Sequence, residues 1–390
     1  MNIKHLILIP CLLLPPLLKA EEAAAEKKDW QWSGIVGLNA TATGMVNWAA
    51  GGKNNVTGVA FGKVRLLYDK NNLSWDTNLD LEYGMSYVDQ TYDKVQKASD
   101  HLKFDSKFGW AFQKQWYLTV QAGFQTQFDL GRTYLGTGAP NPVISNILAP
   151  SYTDVSVGID WKPNSIFSVY LSPVAGRITT AWVSDRVNDR FKDFNRETDM
   201  FANNTTSSSA ADYSLREALQ EKYGVWRYTD NGDNGYSKDY RNVKAELGLT
   251  LKGTINYTYK DLKVMTGLTL YTPYAWDKRK LYDVIYTDAN DVTYTRIFSD
   301  KQIASLLAKG GNTIDSQSFL GYRDNNRRFG NFDVDWTVTL SYQLLKCLNV
   351  TLSTDLKYVN GLKIADKEGN NPVERVQFLA NLGIGVSYAF

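Results

Sequence analysis

Residues 73–88 read LSWDTNLDLEYGMSYV, and their alternation decides the fold. Leu73, Trp75, Thr77, Leu79, Leu81, Tyr83, Met85 and Tyr87 fall on one side of an extended chain, and Ser74, Asp76, Asn78, Asp80, Glu82 and Ser86 on the other. Successive side chains of a strand point to opposite faces, so one face here is broad and apolar and the other acidic. The chain ends on the same pattern. Val376, Phe378, Ala380, Leu382, Ile384, Val386, Tyr388 and Phe390 form an unbroken alternate row closing on an aromatic residue. Repeated segments of this kind read as a transmembrane β-barrel of the bacterial outer membrane.

The rest of the composition fits that reading. Lys4, the apolar run Leu6 to Leu18 and a polar stretch from Lys19 have the layout of a secretory signal over residues 1–20, followed by a short periplasmic segment 21–29 and a barrel over 30–390. Cys11 belongs to the apolar core of that signal, which places Cys347 alone in the mature chain and rules out an internal disulfide there. No later run of about 18 apolar residues could form a membrane helix. The mean hydropathy of −0.35 is uninformative, because a barrel hides its membrane face in alternate residues. The 11 Trp, 24 Tyr and 16 Phe are informative, since aromatic side chains gather where membrane meets water. A formal charge of +2, with 43 basic and 41 acidic residues, leaves no nucleic-acid footprint.

Alternation and turn residues predict twelve strands, near 32–48, 57–68, 73–88, 101–112, 116–128, 152–162, 166–178, 241–256, 259–271, 331–344, 348–359 and 374–390. Every second connection is tight: Asp69 to Asn72, Gln113 to Gln115, Lys162 to Ser165, and the turns around Lys260–Asp261 and Lys346–Cys347. Two of the others are very long, 179–240 and 272–330. Short turns alternating with long loops predict an all-β, antiparallel up-and-down barrel with short periplasmic turns, long extracellular loops and both termini periplasmic. Tyr68, Trp75, Phe112, Trp116, Trp161, Phe167, Tyr257, Tyr259, Tyr342, Tyr388 and Phe390 crowd the short-turn side as an aromatic girdle. Tyr388 and Phe390 are the expected closing and assembly element, since an open strand edge in lipid leaves backbone groups unsatisfied.

Asn47 to Gly52 reads Asn-Trp-Ala-Ala-Gly-Gly and resembles the opening strand and turn of an uncharacterised outer-membrane family of Bacteroidetes, a domain of unknown function. Similar patterns stand at Asp100-His101-Leu102-Lys103, Ser106-Lys107-Phe108-Gly109, Thr126-Gln127, Ile144-Ser145-Asn146, Leu148-Ala149-Pro150, and Leu171-Ser172-Pro173 with Gly176-Arg177, covering most of residues 30–180. The resemblance implies fold and location, and brings no activity or binding residues with it. Read on its own, the Asn47 to Gly52 stretch is a glycine turn beside an interfacial tryptophan.

If the apolar face meets lipid, the other face is the lumen. It then carries Lys63, Arg65, Lys103, Lys107, Lys162, Arg177, Lys244, Lys252, Lys263, Lys357 and Arg375 against Asp76, Asp80, Glu82, Asp105, Asp154, Asp160, Glu246, Asp333, Asp335 and Asp355. The near balance predicts ion pairs and similar cation and anion currents. A turn pairing Tyr68 with Leu73 would set Arg65 directly across from Asp76. Twelve strands lie between barrels of about 8, filled by their own side chains, and of about 16, which hold a channel.

Both long loops carry helical signals. Ser214 to Tyr223 spaces Leu215, Leu219 and Tyr223 by four, and Asp300 is expected to cap a helix bearing Ile303, Leu306 and Leu307. Such helices either pack on their own loop above the rim, the preferred expectation, or fold into the mouth as a constriction. Asp230, Asp233 and Asp239 form a weak calcium candidate that fits no complete loop pattern, and the expectation is no metal and no cofactor. His101, the only histidine after the signal, points inward by strand phase, which disfavours a serine hydrolase facing lipid, so no enzymatic activity is expected. No plug domain is expected before the first strand. Partners implied are outer-membrane lipid, the barrel assembly machinery and small solutes. The functional reading is a narrow, weakly selective conduit constricted by extracellular loops; a non-conducting, partner-binding scaffold is the alternative, and a rim hydrolase a remote one.

Overall fold

The computed structural model describes residues 29–43, 53–134, 141, 143–164, 166–189, 214–274, 280–287, 293–308, 319–324, 329–345, 348–360, 362–364 and 373–389. Twelve antiparallel strands close a barrel: β1 Trp30–Thr43, β2 Asn55–Lys70, β3 Leu73–Val88, β4 Val95–Gln113, β5 Trp116–Thr126, β6 Ser151–Trp161, β7 Phe167–Thr180, β8 Val243–Tyr259, β9 Leu262–Pro273, β10 Asp333–Leu345, β11 Leu348–Tyr358 and β12 Gln377–Ala389. Each strand pairs with its sequence neighbours, and β1 pairs with β12 from Ile35↔Ala389 to Ala40↔Ile384. That seam removes the edge that lipid would not tolerate. Tyr388 stands opposite Val36 in it.

The alternation in β3 becomes a physical difference between faces. Leu73, Trp75, Tyr83, Met85 and Tyr87 are all exposed on the outside. So are Val36 and Leu38 of β1, Val155, Val157 and Ile159 of β6, and Phe378, Leu382 and Ile384 of β12. A continuous apolar surface of this extent is what a barrel presents to lipid. No described helix is long and apolar enough to cross a membrane.

The two ends differ as expected. At one, Asn71–Asn72, Lys114–Gln115 and Lys260–Asp261 turn the chain in two residues, with Asn71, Gln115 and Lys260 at φ of 53°, 74° and 52°. Aromatics cluster beside these turns: Trp30 lies 4.9 Å from Tyr68 and 5.9 Å from Trp75, and Trp161 lies 6.1 Å from Trp116 and 6.0 Å from Phe167. The signal segment, Asn47 to Gly52, the Lys346–Cys347 turn and Phe390 lie outside the described residues.

Four expectations need correction. Lys70 pairs with Leu73, which puts Tyr68 opposite Trp75 and Arg65 opposite Asn78, because the turn uses only Asn71 and Asn72. A shift of two residues preserves the faces, and Arg65 still reaches Asp76 diagonally, at 2.9 and 2.6 Å. The last strand begins at Gln377 and not near 374, so Arg375 lies just outside it. It follows a small hairpin of Lys363–Ile364 and Val373–Glu374, and its Nε donates to the Ile364 carbonyl at 3.2 Å. The helix Asp300–Ala308 starts at Asp300, and Ser299 caps it in a reciprocal pair with Gln302.

The fourth correction concerns the long loops, which build a five-stranded sheet. Its strands run in the order Trp226–Asp230, Tyr236–Tyr240, Thr293–Ser299, Lys280–Thr287 and Phe319–Asp324, so segments of both loops join through Tyr236↔Ile297.

Strand β7 explains the Leu171-Ser172-Pro173 motif. Proline lacks the N–H that a ladder needs, and the register slips on both sides of it, against β6 between Val157 and Ile159 and against β8 between Gly248 and Thr250. This bulge changes the strand's phase. Tyr170 and Ser172 are buried before it, Leu171 and Val174 are exposed around it, and Ala175, Arg177 and Thr179 face inward after it.

Candidate functional site

Many of the charged side chains expected on the inward face pair with one another. Lys63 and His101 both approach Asp80, at 2.9 and 3.4 Å, and Lys107 and Lys162 both approach Asp160, at 2.5 and 3.4 Å. Lys103 lies 3.7 Å from Asp105, Lys244 3.4 Å from Glu246, and Lys357 3.8 and 3.6 Å from Asp335 and Asp355. Glu82 accepts from Ser99. Arg177 does more than pair with a neighbour. Its guanidinium donates to Asp154 at 2.8 Å and to Asp333 of β10 at 2.9 Å, and it lies 4.2 Å from the Tyr271 ring centre. The bulge in β7 is what aims it there.

These side chains divide the lumen into compartments. Near the short turns a cavity of about 320 Å³ is lined from β2, β3, β4, β5, β7 and β8, including Arg65, Asp76, Lys107, Lys162 and Lys252. Above it one of about 120 Å³ lies among Lys103, Asp105, Asp154, Arg177, Lys252 and Asp335. Lys252 lines both. At the long-loop end a space of about 60 Å³ is bounded by Tyr152, Arg177, Lys244, Glu246 and Asp333 of the wall, by Asn360 of the connection after β11, and by Tyr223 and Gly224 of the long loop.

Tyr223 reaches that position because of the helix before it. Ser214 accepts from the Glu217 N–H while Glu217 accepts from the Ser214 N–H, a capping box that starts the helix Leu215–Lys222. Leu215 and Leu219 are fully buried with Val143, Ala149 and Val183, and Tyr223 packs against the same cluster. Tyr223 Oη and Lys222 Nζ both donate to the Ile144 carbonyl, at 2.6 and 2.9 Å. The expected apolar stripe packs both on its own loop, through Val183, Asp185 and Asn188, and on the β5–β6 loop, and it brings the helix end to the mouth.

The platform under the helix is assembled from the motif residues. Asp100 accepts the backbone N–H groups of Phe128 and Asp129, both at 2.8 Å, and pairs with Lys97 at 2.9 Å. Thr126 Oγ1 donates to the Pro150 carbonyl and accepts the Leu148 N–H. Gln127 Nε2 donates to the Asn146 carbonyl, and Gln127 Oε1 accepts from Ser145. Asp100, Thr126, Gln127, Ser145, Asn146, Leu148 and Pro150 therefore tie the two ends of one loop into a knot. In the sequence these residues show only as a resemblance, because their partners are as far as 29 positions away.

Asp100→Ala should loosen this knot, since two amides lose their acceptor and Lys97 its counter-charge, at a cost of about 2–3 kcal/mol. Limited proteolysis within 127–150 should speed up while the barrel still shifts on a heat-modifiability gel. Unchanged cleavage would contradict the role.

Burial pushes Lys222 down to about 8 and pushes the Tyr223 hydroxyl well above its ordinary range. The undocked helix, with Lys222 near its ordinary 10.5, binds the proton more tightly, so docking strengthens as pH rises from about 8 towards 10.5. Residual solvent contact limits the gain to about 1–2 kcal/mol. Exchange protection of amides 215–222, corrected for intrinsic rate, should rise about tenfold between pH 7.5 and 9.5 and lose this dependence in Lys222→Met. Flat or falling protection would refute the sign.

The calcium candidates are not gathered. Asp239 pairs with Arg227 and Arg241, and Asp230 accepts from Gly232, Tyr236 and Gln302. Among the described residues no group of three or more potential metal ligands occurs. His101 faces Asp80 in the wall, and no described serine hydrogen-bonds to it.

The geometry defines the class as a closed twelve-stranded membrane barrel with a polar lumen and a loop-narrowed mouth. Residues 40–131 match the family described as Protein of unknown function (DUF3078). The match takes in Asn47 to Gly52, Asp100 to Lys103 and Thr126-Gln127, and stops short of Ile144 and Leu171. No curated protein matches the chain. Among solved structures, an outer membrane channel from Pseudomonas putida F1 is similar at 11% identity and a TM-score of 0.33, covering 96% of this chain and 100% of that one. The translocator domain of the autotransporter NalP from Neisseria meningitidis shares 6% identity at a TM-score of 0.32, over 94% and 90% of the two chains. The NanC porin shares 9% at 0.30, over 91% and 98%.

Proposed function

We propose that this protein is an outer-membrane barrel serving as a narrow, weakly selective conduit for small hydrophilic solutes, with its long loops outside and both termini in the periplasm. The observation that carries the reading is the pair of polar cavities of about 320 and 120 Å³, lined from facing walls and meeting at Lys252. Charged side chains held against the wall by ion pairs leave solvated space between them. Solute identity is then filtered by size at the mouth, where Tyr223 and Arg177 border about 60 Å³.

Liposomes carrying the refolded barrel should swell in arabinose and not in a tetrasaccharide. Equal exclusion of both would defeat the reading. A cysteine at Ser237 should be labelled from outside intact cells and one at Asn71 should not; the reverse would invert the orientation. The five-stranded sheet built by both loops supports a second reading, a surface for another envelope protein, and this becomes the better one if arabinose is excluded.

A further inference from the structure

The inward charges balance along the barrel as a whole, but not locally. In the compartment beside the short turns, Arg65, Lys107, Lys162 and Lys252 line about 320 Å³ together with Asp76. Asp160 sits behind this surface, fully buried, and is shared by Lys107 and Lys162. Asp76 is occupied by both donors of Arg65. Four cations thus stand against two carboxylates, each of which is already engaged. Lys252 is different again: among the described residues it has no carboxylate within ion-pair distance, while it borders both this cavity and the one above. Lys252 is shared, and even without it the lower compartment holds Arg65, Lys107 and Lys162 against Asp76 and Asp160, whereas the upper cavity holds Lys103 and Arg177 against Asp105, Asp154 and Asp335, so the positive excess belongs to the lower compartment.

A lysine in a confined space of low effective dielectric attracts an anion far more than one in bulk water does. Rings of lysine and arginine give anion and phosphate preference in pores. Hydroxyl and amide groups of Ser74, Asn78, Thr254 and Asn256 line the same cavity and can donate to anion oxygens. We propose that this compartment is a binding site for small anions bearing carboxylate or phosphate groups, with Lys252 as the principal counter-ion. The proposal rests on the conduit reading only for the route by which such anions reach the site. It sharpens the expectation of similar cation and anion currents into a modest preference for anions.

The test uses the full refolded barrel in two formats. In detergent, calorimetric titration with inorganic phosphate should show one site, weakened about fivefold or more in Lys252→Gln, restored in Lys252→Arg and unaffected in Lys94→Gln, at an exposed lysine away from the cavities. In planar bilayers under a potassium chloride gradient, the reversal potential should report chloride over potassium by about threefold, falling towards one in Lys252→Gln. Binding without current would remove the conduit and leave the site standing. No phosphate binding by wild-type barrel, equal binding by Lys252→Gln, or a cation-selective current would overturn the proposal.

Discussion

Gly158→Ala is expected to lose most of the folded barrel, while the same change at Gly253 is expected to be silent. A Cβ at Gly158 would collide with the carbonyl oxygen of Leu171 and come within 2.7 Å of Ser172 Cα. Both are backbone atoms of the bulge that accommodates Pro173, so no side chain can rotate away. Strand β6 would have to leave β7, at a cost of about 3 kcal/mol. The bulge also aims Arg177 at Asp154 and Asp333, so the damage reaches the lumen. At Gly253 of β8 a Cβ meets nothing within 4 Å. Its substitution should fall within about 0.5 kcal/mol of neutral. The heat-modifiable fraction after refolding measures both, and a normal Gly158→Ala barrel would show that the bulge is not a fixed feature.

Strand number, strand faces and the alternation of short and long connections were legible because they depend on period and turn chemistry, which are local. Residues 73–88 were read to their final boundaries for that reason. Register was legible only to within two residues, since a shift of two moves no side chain across the sheet. The inward position of Arg177 was readable, although its partner Asp333, 156 positions away, was not. The loop sheet was missed because five short strands from two loops become visible only once they pair. The motif residues were noticed without a reason. Their reason is the knot beneath the helix, and Asp100 gives the clearest case, a carboxylate on an outward-facing strand position used to hold two loop amides.

Replacing residues 182–241 by a short glycine-serine turn tests the central claim most directly, because it removes the helix Leu215–Lys222 and Tyr223 while leaving β7 and β8 to pair as before. The compartments at Lys252 and below it would then open onto the outside through a mouth no longer bordered by Tyr223 and Gly224. Single-channel conductance in planar bilayers should rise about threefold or more over that of the intact barrel, with both proteins equally heat-modifiable. The intact barrel should show a small, steady conductance, since the docked helix is held by Lys222 and Tyr223 on the Ile144 carbonyl, by Arg216 on Val183 and Asp185, by Gln220 on Asn242, by Glu221 on Lys238 and Tyr240, and by one apolar cluster. An unchanged conductance in the folded replacement would contradict a constriction set by the loop, and the absence of current in both would mean a lumen filled by its own side chains.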